Sequence, residues 1–318
     1  MRTKALGKSG LALTRIGLGT WAIGGADWQF GWGSQDDRDS IATVHEALDL
    51  GINWIDTAAV YGLGHSEEVV GRAIAGRRDK LIIATKCGRP TDPGSTTIVS
   101  RLKAASVRKE LEGSLRRLKT DYIDLYQIHW PDPDPDIEEG WEEIAKAVRE
   151  GKVRYAGVSN FNPEQMRRIQ KIHPISSLQP PYSMLRRDVE KELLPFCAAN
   201  GIGVICYSPM QMGLLTGAFT RERAASLPRD DVRARNALFI EPALSRNLAL
   251  VEELRPLAKK NGRSLAELAV AWVLRRPEVT AAIVGGRKPG QVAEIAAAAD
   301  WELSATDTAE VEALLARH

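Results

Sequence analysis

Eight short runs of β-branched and apolar residues alternate along the chain with amphipathic stretches of roughly 10–17 residues, and this rhythm constrains the fold more than any other feature. The strand candidates are Arg15-Gly19, Asn53-Asp56, Leu81-Lys86, Ile123-Ile128, Tyr155-Val158, Ser177-Gln179, Gly203-Ser208 and Thr280-Val284. Between them lie helical stretches at Asp37-Leu50, Ser66-Ala75, Ala104-Leu118, Ile137-Glu150, Pro163-Ile172, Val189-Asn200, Ser245-Lys260 and Pro289-Ala298. Strand, helix and parallel strand make a βαβ unit, and eight of them predict an α/β fold, the (β/α)8 TIM barrel.

Local signals agree with the pattern. Ser66 before Glu67 and Glu68 reads as an N-cap with acids in the first turn, Asn162-Pro163 places Pro at the first helical position, and Asn200-Gly201 and Asn261-Gly262 read as C-terminal stops. Four pieces fall outside the alternation. Residues 1–14 read as a hairpin turning at Lys8-Ser9-Gly10, with Leu11 and Leu13 plugging one end of the barrel. Residues 219–244, an extended loop after the seventh strand bearing Arg221, Arg223, Arg229, Arg233 and Arg235, read as a lid or a disordered flap. Leu265-Leu274 and Thr306-Arg317 read as extra C-terminal helices. No internal repeat divides the chain, so residues 1–318 read as a single domain.

At 318 residues and 44% apolar content the chain has enough material for a large core. A net charge of +2 from nearly balanced acids and bases argues against nucleic acid or an anionic membrane as partner, and favours a small molecule. Cys87, Cys197 and Cys206 are too few and too scattered for a disulfide framework. With no signal-like start and no apolar run of the ~18–20 residues that span a bilayer, the expected location is cytoplasmic. The sequence does not indicate an oligomeric state.

In a closed barrel the C-terminal strand ends and the loops behind them form the active face. The second candidate strand ends in Asp56 and runs through Asp56-Thr57-Ala58-Ala59-Val60-Tyr61-Gly62; the third ends in Lys86; the fourth leads to His129. Neighbouring strands lie ~4.8 Å apart, so a Lys on the third reaches an Asp on the second and a Tyr in the loop beyond. A nearby ammonium favours phenolate and so lowers a phenol pKa. Asp56 would keep Lys86 charged and aimed, and neutral His129 would hydrogen-bond a substrate oxygen. Singly, each residue has a plainer role as a cap, a packing ring or a structural histidine. A Lys finishing an apolar strand needs a partner, however, and the convergence of four such groups on consecutive strands favours chemistry.

The stretch Asp56 to Gly62, Lys86 after Ala84-Thr85, His129 after Asp124-Leu125-Tyr126-Gln127-Ile128, the run Gly157-Val158-Ser159-Asn160-Phe161, and Gln179 are together similar to the aldo-keto reductase signatures, in the same order and at matching strand ends. Gly17-Leu18-Gly19-Thr20-Trp21-Ala22-Ile23-Gly24-Gly25 and Gln179-Pro180-Pro181-Tyr182 resemble the bacterial branch of general stress and inositol-operon reductases. The resemblance implies carbonyl reduction with Asp56, Tyr61, Lys86 and His129 as catalytic tetrad, Tyr61 being the acid, and NADPH/NADP+ as cofactor. It further implies that Ser159, Asn160 and Gln179 bind the nicotinamide carboxamide and that Tyr207 stacks on the ring. Thr20, Trp21, Asp56, Ser208, Pro209, Gly213, Leu215 and Gly217 complete the implied cofactor contacts around the ring and pyrophosphate.

Barrels often bind phosphate with the loops after strands seven and eight. Gly285-Gly286-Arg287-Lys288-Pro289 combines backbone that can approach an anion, a helix start at Pro289, and cations suited to a 2′-phosphate. By resemblance Arg287 and Gln291 contact the adenosine phosphate and Glu294 the adenine. The family usually carries Pro at the position of Val284 and Asn at that of Ile295, so NADH stays possible.

Gly17-Leu18-Gly19-Thr20-Trp21-Ala22 also fits the GxGxxA dinucleotide fingerprint, but a real fingerprint opens directly into a helix. Here the chain continues into a glycine-rich segment to Gly33, read as a substrate loop. Trp28, Phe30 and Trp32 line the pocket, Thr20 and Trp21 lie at its base, and Trp130 is a further pocket residue; some of the loop's rings equally pack it down. A metal-dependent hydrolase lacks support, because only His129 among five histidines ends a strand. An NAD-dependent sugar or alcohol dehydrogenase on the same scaffold, or a slow nicotinamide-sensing regulatory subunit, remains the alternative.

Overall fold

The computed structural model describes residues 1–26 and 28–318, and Asp27, in the segment that the sequence suggests as a substrate loop, lies outside the described residues. Two short strands, β1 (Thr3–Ala5) and β2 (Ala12–Thr14), pair antiparallel as the expected N-terminal hairpin. The barrel follows as β3 (Ile16–Gly19), α1 (Asp37–Asp49), β4 (Trp54–Asp56), α2 (His65–Ala73), β5 (Ile82–Cys87), α3 (Ala104–Leu118), β6 (Ile123–Ile128) and α4 (Ile137–Arg149). It continues with β7 (Val153–Ser159), α5 (Pro163–Gln170), β8 (Ser177–Gln179), α6 (Leu193–Asn200), β9 (Gly203–Cys206), α7 (Arg221–Ala225), α8 (Ala243–Lys260), α9 (Leu265–Leu274), β10 (Val279–Gly285), α10 (Ala293–Ala296) and α11 (Ala305–Leu315). The eight strands β3 to β10 are all parallel and close with β10 against β3, the (β/α)8 TIM barrel that the alternation predicts.

Most buried apolar residues lie between the outer face of the barrel and its helices, as the amphipathic stripes require. A separate cluster fills the barrel's lower interior: Leu6, Leu11 and Leu13 from the hairpin meet Trp54, Ala84, Leu125, Ile205, Ala281 and Ile283 from the strands. The hairpin therefore does plug the barrel. Gly7 makes the seal possible, since it adopts φ +54° and a Cβ there would come within 2.4 Å of the Gly201 carbonyl oxygen. No described helix is long and apolar enough to cross a membrane.

Several local expectations change. Ser66 does not cap α2, which begins one residue earlier behind Gly64 in left-handed backbone. The Ser66 hydroxyl is instead buried against Thr20 and Thr57. Pro289 does not start a helix: residues 287–292 form bends and turns and α10 begins only at Ala293, because Gly290 takes φ +90°, outside helical backbone, while Glu46 and Gln291 side chains accept the N–H groups of Gly290, Arg287 and Lys288 in this turn. The stretch from Val189 breaks into a 3-10 turn and the shorter α6, and β9 ends at Cys206, leaving Tyr207 just beyond it. Residues 219–244 are no disordered flap. They carry α7 and two 3-10 turns, anchored by Phe219 edge-on to Phe239 and by a buried Arg233–Asp231 pair.

Candidate active site

Strand register sets the site. β4 pairs with β5 so that Asp56 stands opposite Ala84, and Lys86 lies two residues further along β5, above Asp56 at the C-terminal mouth. Lys86 is 1% exposed and its ammonium donates to Asp56 Oδ1 at 2.6 Å, to the Thr57 carbonyl at 2.9 Å and to the Tyr61 hydroxyl at 3.2 Å. All three ammonium protons therefore have acceptors, which a buried cation requires. Tyr61 sits in the turn after β4, where Gly62 and Leu63 both take positive φ and swing the phenol back toward Lys86. His129 follows β6, and its ring stands edge-on to Tyr61 with centroids 5.8 Å apart. Structure thus brings together Asp56, Tyr61, Lys86 and His129.

Electrostatics corrects one expectation. Burial raises the Tyr61 pKa, and the Lys86 ammonium, which pulls it down, only partly offsets that; the net direction is upward from 10.0, so the phenol keeps its proton at neutral pH. For Lys86, burial lowers the pKa while Asp56 and Tyr61 raise it, and the partners prevail. His129 goes well below 6.5 through burial and the nearby charges of Lys86 and Arg89, which makes it neutral as expected.

The implied carboxamide contacts are unevenly accessible. Ser159 and Gln179 are buried; the Ser159 hydroxyl donates to the Gln179 carbonyl at 2.8 Å, and the Gln179 amide donates to Asp56 Oδ2 at 2.8 Å. Asn160 is half-buried in left-handed backbone, donates to the His129 carbonyl at 3.0 Å and accepts from the Tyr207 hydroxyl at 2.9 Å. The Tyr207 ring is half-exposed at the mouth, beside Ser208 and buried Pro209. Thr20 is fully buried and pairs with Asp56 and Ser66, so it supports the site from below rather than reaching a ligand.

The loop after β9 and the end of β10 leave backbone uncovered at two glycines. At Gly213 (φ +92°) a Cβ would meet nothing within 4 Å, and at Gly285 only the Gly19 carbonyl at 3.9 Å, so both present bare backbone to open space. Leu215 is buried, Gly286 is packed by Val292 and Thr43, and Gly217 is turned toward Leu265 and Arg255. Arg287 does not hang free: its guanidinium donates to Gln35 Oε1 at 2.8 Å, to the Trp32 carbonyl at 3.0 Å and to the Ser34 carbonyl. Gln291 caps the same loop, and Glu294 is exposed.

The glycine-rich loop to Gly33 is held from two sides. Trp28 is buried against Ala58 and Val60 near Tyr61, with Phe30 edge-on to it and exposed, while Trp32 packs edge-on to Trp21 at 5.4 Å. From the Arg-rich segment, Val232 donates to the Gly31 carbonyl, Arg235 to the Gln29 carbonyl, and the Arg233 guanidinium lies 4.8 Å from the Trp32 ring. Trp130, the residue after His129, is 40% exposed and lies 5.8 Å from the Arg89 guanidinium. Sequence reading missed Glu110 and Arg89. The signal was a carboxylate at position 110 on the face of α3 that also carries Val107, Leu111 and Ser114, all buried.

Parallel barrel, plugged base and a buried Lys–Asp pair under a tyrosine at the C-terminal mouth define an oxidoreductase of the TIM-barrel class. The sequence matches the Aldo/keto reductase family over residues 15–316, and the chain belongs to that family, whose members use nicotinamide cofactors on small carbonyl compounds. It is 41% identical to aldo-keto reductase YhdN of Bacillus subtilis, over 99% of this chain and 94% of that protein. It is 35% identical to the NADH-specific methylglyoxal reductase of Escherichia coli, over 96% of each. Among solved structures it superposes on glycerol dehydrogenase AKR11B4 from Gluconobacter oxydans with a TM-score of 0.88 at 42% identity, covering 98% of this chain and 94% of that one.

Proposed function

We propose that the protein, acting as a single domain, is an NADPH-dependent carbonyl reductase in which Tyr61 is the general acid. One observation carries the reading: the Lys86 ammonium touches both Asp56 and the Tyr61 hydroxyl within 3.2 Å at the mouth of the barrel. When bound, the nicotinamide supplies hydride to the carbonyl carbon. As charge develops on the carbonyl oxygen, Tyr61 gives up its proton to it, and the phenolate left behind is stabilised by Lys86, whose own charge is held by Asp56. Neutral His129 orients the substrate oxygen through a hydrogen bond. The raised Tyr61 pKa suits this direction of reaction, because an acid must still hold its proton when substrate arrives.

Bare backbone at Gly213 and Gly285 and the half-exposed Tyr207 ring fit a flat, phosphate-bearing cofactor, with Asn160 offering an amide to its carboxamide. Arg287, if it turns from the Trp32 and Ser34 carbonyls, meets a 2′-phosphate; its engagement there and the NADH-specific Escherichia coli relative favour NADH as the second reading. The test is oxidation of NADPH and of NADH in parallel against aldehydes, dicarbonyls, ketones and sugars. Turnover of none with either cofactor would sink the reductase reading.

A further inference from the structure

The loop after Lys86 carries a second polar cluster outside the tetrad. Arg89 stands three residues beyond Lys86 on the same rim. Glu110, 9% exposed, accepts from the Gly88 N–H at 3.1 Å to each of its oxygens and from the Arg89 N–H at 3.4 Å, which fixes where the Arg89 side chain departs. The Arg89 guanidinium donates to the Ser100 hydroxyl, lies 3.5 Å from Asp132, and sits 5.8 Å from the ring of exposed Trp130, the residue after His129. Ser100 in turn donates to Asp132. An antiparallel bridge between Thr91 and Ile98 folds the intervening loop back on itself, and Ile98 packs on the Trp28–Ala58–Val60 cluster beside Tyr61. The cluster and the tetrad therefore share a wall.

Guanidinium, carboxylate and hydroxyl together offer donors and acceptors beside a flat apolar face. Asp132 balances the Arg89 charge, so an anionic substrate group finds that cation already paired, whereas a neutral hydroxyl can donate to Asp132 and accept from Arg89. We propose that Arg89, Asp132 and Trp130 form a specificity subsite that selects carbonyl substrates bearing a hydroxyl on the carbon next to the reacting carbonyl. This rests on the reductase reading above.

Hydroxyacetone and butanone, which differ by exchange of a hydroxyl for a methyl, are the probes. The expected kcat/KM ratio in the unmodified protein is about 10–100 in favour of hydroxyacetone, below the ceiling for a fully enclosed hydroxyl site. Arg89→Met should bring the ratio to within about threefold of unity. Asp132→Asn, which leaves Arg89 uncompensated, should raise pyruvate relative to butanone at least about fivefold. Saturation-transfer NMR of the same ketones reads their binding without turnover. A preserved binding ratio with no turnover would count against the reductase reading alone. A ratio near one in the unmodified protein, or equal losses for both ketones in Arg89→Met, would overturn the subsite.

Discussion

Gln179 donates its side-chain amide to Oδ2 of Asp56 at 2.8 Å, on the carboxylate oxygen opposite the one that Lys86 holds at 2.6 Å. A residue expected to face the cofactor thus serves the buried ion pair in this conformation. Gln127, at 3.5 Å, is too distant to replace it. Gln179→Met should therefore cost about 1–3 kcal/mol of stability, the usual penalty for a buried charge losing a hydrogen bond. Urea melts give that number, and a cofactor titration separates the two roles. Unchanged stability with a weakened cofactor would return Gln179 to the carboxamide.

Tyr61→Phe should lower carbonyl reduction by roughly 10²–10⁴-fold while cofactor affinity stays close to that of the unmodified protein. Single-turnover rates and a fluorescence titration check both halves. Near-normal turnover would remove Tyr61 from the chemistry.

For Arg287→Ala the informative quantity is a ratio. Loosening the clasp on Trp32 and Ser34 affects both cofactors, but only NADPH carries the extra phosphate. Its affinity should fall roughly 10–150-fold, the worth of a charged hydrogen bond, with a much smaller loss for NADH. Titrations of both cofactors at one salt concentration decide it. Equal losses would leave Arg287 as a loop clasp only.

Glu110 gives a pH dependence with a definite sign. Burial raises its pKa from 4.5 to about 7, against the lowering by the Gly88 and Arg89 N–H groups; Glu67 adds to the rise and Arg117 opposes it. The folded state therefore holds this proton more tightly than the unfolded chain, and ionising Glu110 costs stability as pH climbs from about 4.5 through 7. Glu110→Gln removes that cost. Relative to the unmodified protein, the variant should gain up to about 3 kcal/mol between pH 5 and pH 8, measured by urea melts at both. A stability difference that does not change with pH would contradict the raised pKa.

The tetrad was legible because each member ends or closely follows a strand, and strand ends converge whatever the loops do. Register alone then carries Lys86 over Asp56. The loops were not legible in the same way. Arg287 finds Gln35, Trp32 and Ser34 more than 250 residues away in sequence, and no local pattern announces such a pairing. Ser66 and Pro289 had the right local chemistry for helix starts, but other features won: Thr20 and Thr57 took the Ser66 hydroxyl, and Gly290, at φ +90°, turns the chain out of helical backbone straight after Pro289. The sign of the Tyr61 shift was missed for a related reason. Charge neighbours can be inferred from strand order, whereas the depth of burial depends on Trp28 and the loop that carries it.

Leu6, Leu11 and Leu13 close the barrel at the end opposite Tyr61, so the β1–β2 hairpin lies on the far side from the mouth that holds Lys86 and Asp56. That polarity makes the hairpin a natural handle for attachment. A protein coupled to a bead or an electrode through the hairpin would stand with its mouth toward the bulk solution, and small molecules would reach it without crossing the support.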